Sequence, residues 1–181
     1  MGTAFMARLS ALPPGDEYAT VMSSETLFGK LCYLIVKQTG GTMKDTLQPG
    51  LEHTFTFELP ESKTVPALYP EAPEFALMPK VFATGFMVGF IEWVCIQAIN
   101  PHIDWPTEQT VGTQINISHT AATPPGMDVS ATVKLVEVDR KRLVFEVEAR
   151  DEAGLIGKGT HERFVINAEK FNQALQEKAK R

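Results

Sequence analysis

From Val81 to Ile99 the chain reads VFATGFMVGFIEWVCIQAI, an apolar run broken by a single charged residue, Glu92. No proline interrupts it, so it must be a helix buried in a protein core or a helix buried in a bilayer. A span needs about 20 predominantly apolar residues, and Gly85 and Gly89 have the G-x-x-x-G spacing of close helix contacts in lipid. A charge inside the run, and alternating rather than apolar segments elsewhere, favour the core. The helix is expected to be entered near Pro79 to Thr84 and stopped by Asn100-Pro101, with its glycines letting it lie close against a sheet. Met87, Phe90, Ile91, Val94, Cys95 and Ala98 share one face, and apolar residues cover much of the other. Such a helix is expected to be enclosed on most sides.

Enclosure makes Glu92 chemically conspicuous. A carboxylate removed from water must find a partner or take up a proton, and a residue in that position is a functional-site candidate. The bland alternative is a structural Glu that caps a backbone group or reaches solvent through a gap.

The helix also dictates its surroundings. Before it, Glu52 to Leu59 (EHTFTFEL) alternates like a strand, and residues 64 to 80 carry four prolines, which makes them a structured connection. After it, Thr113 to His119, Asp128 to Val138, Leu143 to Arg150 and Ile156 to Ile166 alternate with period two. Pro124-Pro125-Gly126, Asp139 to Arg142 and Asp151 to Gly154 punctuate them. Ala168 to Arg181 is an amphipathic helix candidate. One strand, a buried helix and then antiparallel strands is an α+β class, with the sheet curving over the helix. A curved single sheet leaves open edges, so a dimer or larger is expected.

This pattern covers residues 43–181. Residues 1–42 hold Pro13-Pro14-Gly15, Gly40-Gly41 and one short apolar segment, Leu27 to Val36, with no usable period. They are expected to be a poorly ordered extension or a start-site artefact, since Met43 could itself begin the chain. No clean signal peptide precedes Pro13. A net charge of -5 argues against a nucleic-acid partner, which calls for a basic surplus or stripe. The one basic cluster, Asp139-Arg140-Lys141-Arg142, reads first as a solvated hairpin tip and second as a contact for a phosphate-bearing ligand. Cys32 and Cys95 give neither a disulfide framework nor metal spacing, so a reducing, cytoplasmic setting is the default.

Of the four histidines, His53 and His102 read as surface residues, while His119 and His161 sit in richer segments. For both of the latter, a hydrogen-bonded strand histidine is the plainer reading. No metal site is expected, because no histidine or cysteine pair has ligand spacing. No phosphate loop, nucleotide fingerprint or G-x-S-x-G elbow is present.

Three segments go further than pattern: KTVPALYPEAPEFALMPKVFATGFMVGFIEW, VGTQINISHTAATPPG and IGKGTHERFVINAEKFN. They resemble the fluoroacetyl-CoA thioesterase-like family of acyl-CoA thioesterases, over nearly the whole chain from Met43 to Asn172. The resemblance implies a hot-dog fold, an antiparallel sheet wrapped around a central helix, and a homodimer with acyl-CoA bound near the subunit interface. No membrane partner is expected from the pattern of the segments, and no cofactor beyond the CoA of the substrate. The family's catalytic Thr, Glu and His fall on Thr84, Glu92 and His119. Its substrate-contacting Gly and the Arg of the THER motif fall on Gly112 and Arg163. Of the two aromatic residues in the family's lid over the acyl pocket, Phe75 is kept and Met78 stands in the second position. Methionine adapts to several shapes, so this lid is expected to discriminate acyl groups less sharply.

The implied reaction is hydrolysis of a short-chain acyl-CoA thioester, with fluoroacetyl-CoA as one candidate. Glu92 would attack the carbonyl or act as base on water, His119 would shuttle the proton, and Thr84 would donate a hydrogen bond. Thr84 and Glu92 are eight residues apart, a little over two turns and about 12 Å along a helix. Two other readings stand beside this one. A hot-dog hydratase or dehydratase would show a D-x-N-x-x-H type arrangement, which is missing here. A non-catalytic acyl-CoA sensor would need an output module, and Arg8, Lys30 and Lys37 make a poor DNA-binding segment.

Overall fold

The structure, a computed structural model, describes residues 43–180. The expectations for residues 1–42, Cys32 among them, lie outside the described residues.

Five strands form one antiparallel sheet: β1 (Glu52–Glu58), β2 (Glu108–Ile117), β3 (Asp128–Asp139), β4 (Arg142–Asp151) and β5 (Gly154–Asn167), in spatial order β1-β3-β4-β5-β2. Among the described residues three helices accompany it: α1 (Pro73–Ala76), α2 (Thr84–Ile99) and α3 (Ala168–Ala179). β3, β4 and β5 are joined by tight turns, with Arg140 at φ 52 and Gly154 at φ 143 supplying the left-handed backbone that such turns require. β1 and β2 lie at the two edges, and α2, which connects them, packs across β1, β2, β3 and β4 on one face of the sheet. This is the expected α+β hot-dog arrangement.

Strict alternation drives the wrap. Val129, Ala131, Val133 and Leu135 on β3 and Leu143, Phe145, Val147 and Ala149 on β4 are buried against α2. Their neighbours face outward, where Glu52, Lys134, Glu146 and Thr160 stand in register across four strands. Opposite charges placed side by side make that face a solvated polar surface. It carries a concavity of about 620 Å³ lined by residues such as Lys134, Glu146 and Lys158. Its size does not make it the candidate site, because none of Thr84, Glu92 or His119 reaches it.

On the inner face, Phe55 meets Trp93 and Phe57 meets Phe90, each pair with ring centroids 4.7 Å apart. Edge-on aromatic pairs of this kind add about 0.5–1.5 kcal/mol beyond the area they bury, and they fix β1 to α2.

Three expectations are corrected. Among the described residues the helix is not enclosed on most sides: Met87, Phe90, Ile91, Val94, Cys95, Ala98 and Ile99 are buried, but Gly85, Gly89 and Trp93 are exposed, Trp93 by 47%. The two glycines accordingly lie away from the sheet. A β-carbon on Gly89 would meet nothing within 4 Å, and one on Gly85 would meet Leu68 of the preceding loop. The strand expected at Thr113–His119 in fact begins at Glu108, because a bulge between Gly112 and Gln114 breaks the alternation that marks a strand. The proline-rich connection contains two short 3-10 turns, Glu61–Lys63 and Val65–Ala67, and the single turn of α1. None of the helices among the described residues is long and apolar enough to cross a membrane.

Candidate active site

α2 and β2 lie alongside one another and carry two groups of polar side chains. At the first turn of α2, Thr84 Oγ1 lies 2.9 Å from His119 Nδ1. His119 sits just beyond β2, in the extended stretch anchored by hydrogen bonds from Ser118 and Thr120 to the backbone of β5. Its Nε2 is buried and meets no hydrogen-bond partner among the described residues. Burial lowers the pKa of the His119 imidazole below its ordinary value, with the Ala121 backbone opposing the shift. The ring is therefore neutral near pH 7. A hydroxyl both donates and accepts, so Thr84 can serve either neutral tautomer of the ring. Among the described residues no side chain caps the N-terminus of α2, which leaves its first-turn N–H groups without side-chain partners there.

Further along α2, Glu92 meets β5 and β2. Its Oε1 lies 3.5 Å from Arg163 Nη1 and 3.7 Å from His161 Nε2, and its side chain stays 40% exposed. Glu92 is thus not the fully buried carboxylate that an enclosed helix would produce, and it has the partner that a carboxylate drawn from water requires. Gly112 faces it so closely that a β-carbon there would run into Glu92 Oε1. Arg163 is buried, donating from Nε to Thr110 Oγ1 and from Nη2 to Thr110 O, both at 2.9 Å. A buried guanidinium is costly unless paired, and the Glu92 carboxylate is its counter-charge. Burial lowers the Arg163 pKa, and Glu92 pulls it back up. Cys95, one turn on, has its thiol pushed up to about 12 by burial, so it is no nucleophile at neutral pH.

The sequence-predicted residues therefore fall into two contacting sets, Thr84 with His119 and Glu92 with Gly112 and Arg163. The two sets do not touch within the chain, consistent with the spacing of two turns along α2. Phe75 and Met78 belong to a third, outer group. Phe75 stacks on Tyr69 with ring centroids 5.9 Å apart, and Met78 is exposed. Leu68, at the base of this loop, packs against the turn of α2 that carries Thr84. An apolar cavity of about 280 Å³ lies on the open side of α2 between Phe57, Phe82, Phe86, Gly89, Phe90 and Trp93. The Phe82 ring also meets that of His119 at 6.3 Å.

Sequence reasoning missed the environment of Arg163. His161, read as a hydrogen-bonded strand histidine, is one, but it also borders Glu92. Its signal was present: on an alternating β5, His161 and Arg163 take inward positions beside Val165, where only apolar residues are expected. Thr110 had no such signal, because the bulge hides its strand.

Residues 69–169 match the sequence profile of a family described as fluoroacetyl-CoA-specific thioesterase. The chain is 51% identical over 136 residues to a fluoroacetyl-CoA thioesterase from Streptantibioticus cattleyicolor, covering 75% of this chain and 97% of that one. It is similar to a solved variant of the fluoroacetyl-CoA-specific thioesterase in complex with fluoroacetate and CoA, with 51% identity, a TM-score of 0.67, and coverage of 69% of this chain and 99% of that one. A hot-dog-like protein from Thermanaerovibrio acidaminovorans shares the fold alone, with 18% identity, a TM-score of 0.61, and coverage of 72% and 91%.

Proposed function

Because the chain belongs to the family of fluoroacetyl-CoA-specific thioesterases, we propose that it hydrolyses a short-chain acyl-CoA thioester to the free acid and CoA, with Glu92, His119 and Thr84 as the reacting groups. The observation that carries the residue roles is the pairing of a carboxylate against a buried cation, Glu92 with Arg163, in a chain whose neutral His119 keeps one ring nitrogen free. A thioester needs an oxygen nucleophile, a site for the developing oxyanion and a proton for the departing thiolate. Glu92 either attacks the carbonyl, giving an anhydride that water then opens, or takes a proton from the attacking water. His119 Nε2 carries the proton between water and thiolate while Nδ1 stays bonded to Thr84. The uncapped first turn of α2 offers N–H groups to the oxyanion.

The working unit in this reading is a homodimer in the cytoplasm. Support for the dimer comes from the edge of β2, which has no partner strand among the described residues and carries the exposed Ile115, and from the apolar side of α2 that its own sheet leaves open. Antiparallel pairing of two β2 edges about a twofold axis also sets two α2 helices antiparallel, which turns the Glu92 group of one copy toward the Thr84–His119 pair of the other. The substrate contacts proposed for Gly112 and Arg163 then lie at the same interface.

Two outcomes are expected. Gly112→Ala pushes its methyl into the Glu92 carboxylate, and steady-state kinetics should give a kcat lowered about 100-fold, the cost of a misplacement of about 1 Å. Wild-type kcat in that variant would remove Gly112 from the site. Thiol release from acetyl-, fluoroacetyl-, propionyl-, butyryl- and phenylacetyl-CoA should give hydrolysis of several acyl groups, because Met78 makes an adaptable lid. Sharp selectivity for fluoroacetyl-CoA would overturn the broad-specificity reading, and no release from any of them would favour an acyl-CoA-binding protein without catalysis.

A further inference from the structure

We propose that Thr110 and His161 are positioning residues for this reaction: together they fix the Arg163 guanidinium so that it presents one N–H edge to the Glu92 carboxylate, and His161 does so as a neutral hydrogen-bond acceptor. The inference rests on Glu92 being the reacting carboxylate.

The Arg163 side chain is 3% exposed, so its orientation is set by protein groups alone. Nε donates to Thr110 Oγ1, Nη2 to Thr110 O, and Nη1 to His161 Nε2 at 3.0 Å. What remains of Nη1 faces Glu92 Oε1 at 3.5 Å. Three fixed bonds leave a planar guanidinium no freedom to rotate, so the position of the Glu92 counter-charge follows from Thr110 and His161.

The tautomer of His161 follows from its two partners. The Gln114 carbonyl, 2.8 Å from Nδ1, can only accept, so Nδ1 carries the hydrogen. Arg163 can only donate, so Nε2 is bare. A neutral ring is the one state that satisfies both. His161 is therefore not the cation in its approach to Glu92, and Arg163 supplies the positive charge. The groups acting on His161 are Arg163 and Glu162 on its own strand, Glu92 on α2 and the Gln114 carbonyl on β2, with Phe145 across on β4. Burial, with Arg163 in support, lowers the His161 pKa, and Gln114, Glu92 and Glu162 oppose the shift.

The same bonds bracket the bulge. Thr110 and Gln114 flank Gly112 on β2, and both are held by side chains of β5 at the point where the register shifts. An unpaired bulge would be free to flex, whereas here Arg163 and His161 fix the backbone on each side of the glycine that meets Glu92. Positioning of the carboxylate and of Gly112 is thus one structural unit.

The test is kinetic, with acetyl-CoA and fluoroacetyl-CoA as probes and a thermal melt of each variant. Thr110→Val keeps the shape and the backbone carbonyl and removes the Oγ1 acceptor, so kcat should fall about 10- to 100-fold with KM within about twofold. Thr110→Ser should restore it. His161→Phe, which keeps a ring and loses the acceptor, should fall further, and His161→Gln, whose amide oxygen can accept, should recover part of the loss. Wild-type kcat in Thr110→Val, no rescue by Thr110→Ser, or losses that only track the unfolded fraction would each overturn the inference. Glu92→Gln is run beside them: full activity there defeats the assignment of Glu92 itself, whereas an inactive Glu92→Gln with an unaffected Thr110→Val defeats the positioning role alone.

Discussion

Glu92→Gln should abolish thioester hydrolysis, lowering kcat by about 10²- to 10⁴-fold, while the protein stays folded. The substitution keeps the size of the side chain and its capacity to accept from Arg163, and it removes the negative charge. Either role of Glu92 needs that charge: an amide neither attacks a thioester carbonyl at neutral pH nor takes a proton from water. The fold should tolerate the change because the amide oxygen still accepts from Arg163 and the 40% exposed Glu92 side chain keeps water at that end of the pair, although the buried guanidinium loses its counter-charge. A loss of about 1–3 kcal/mol in stability is expected, below the cost of about 3–5 kcal/mol for breaking a fully buried pair, with a melting shift of up to about 10 degrees for a domain of this size. Thiol release and a thermal melt on the same preparation check both halves. A normal melt with normal hydrolysis would remove Glu92 from the chemistry, and a collapsed fold would make it the structural Glu of the bland reading.

The fold was largely legible in the sequence because its signals are local. Thr84 to Ile99 holds a helical face of Met87, Phe90, Ile91, Val94, Cys95 and Ala98, and all six are buried. β1, β3, β4 and β5 alternate cleanly and appear within a residue or two of their expected bounds. β2 was only half legible, since the bulge at Gly112–Gln114 replaces alternation with a backbone irregularity that leaves no mark in composition. The open side of α2 was illegible for a different reason. Periodicity reports which residues are apolar and says nothing about what covers them, and the sheet of this chain covers one side.

Candidate residues could be named from the sequence, but their grouping could not. Thr84, Glu92, His119, Gly112 and Arg163 entered through the family resemblance, and sequence spacing gave the two-turn separation of Thr84 and Glu92. That Thr84 pairs with His119, and Glu92 with Arg163, depends on β2 running beside α2 and β5 beside β2, which is tertiary information. Once the strands are laid out, inward-facing His161 and Arg163 on β5 point to the Glu92 group without any appeal to relatives.

His119→Ala should be nearly as damaging as Glu92→Gln, with a loss of about 10²- to 10⁴-fold, and its pH profile carries added information. Burial holds the His119 pKa below the ordinary imidazole value of about 6.5. A step that needs the neutral ring is therefore fully available above that value and is lost as pH falls through the depressed pKa. That component of the acid limb of kcat should disappear from the residual activity of His119→Ala, and a limb of unchanged steepness and midpoint would assign it to another group. Pairing the two inactive variants then decides where the site lies. If Glu92 of one copy works with His119 of the other, a hybrid of a Glu92→Gln chain and a His119→Ala chain has one doubly damaged site and one wholly native site. Mixing the two variants and allowing subunits to exchange should then restore activity, up to one working site per hybrid dimer. If each chain holds a complete site, every site in the hybrid lacks one group and the mixture stays as inactive as its parts. The separation of the two groups along α2 favours the first outcome, since a single thioester carbonyl cannot contact both ends of two helical turns.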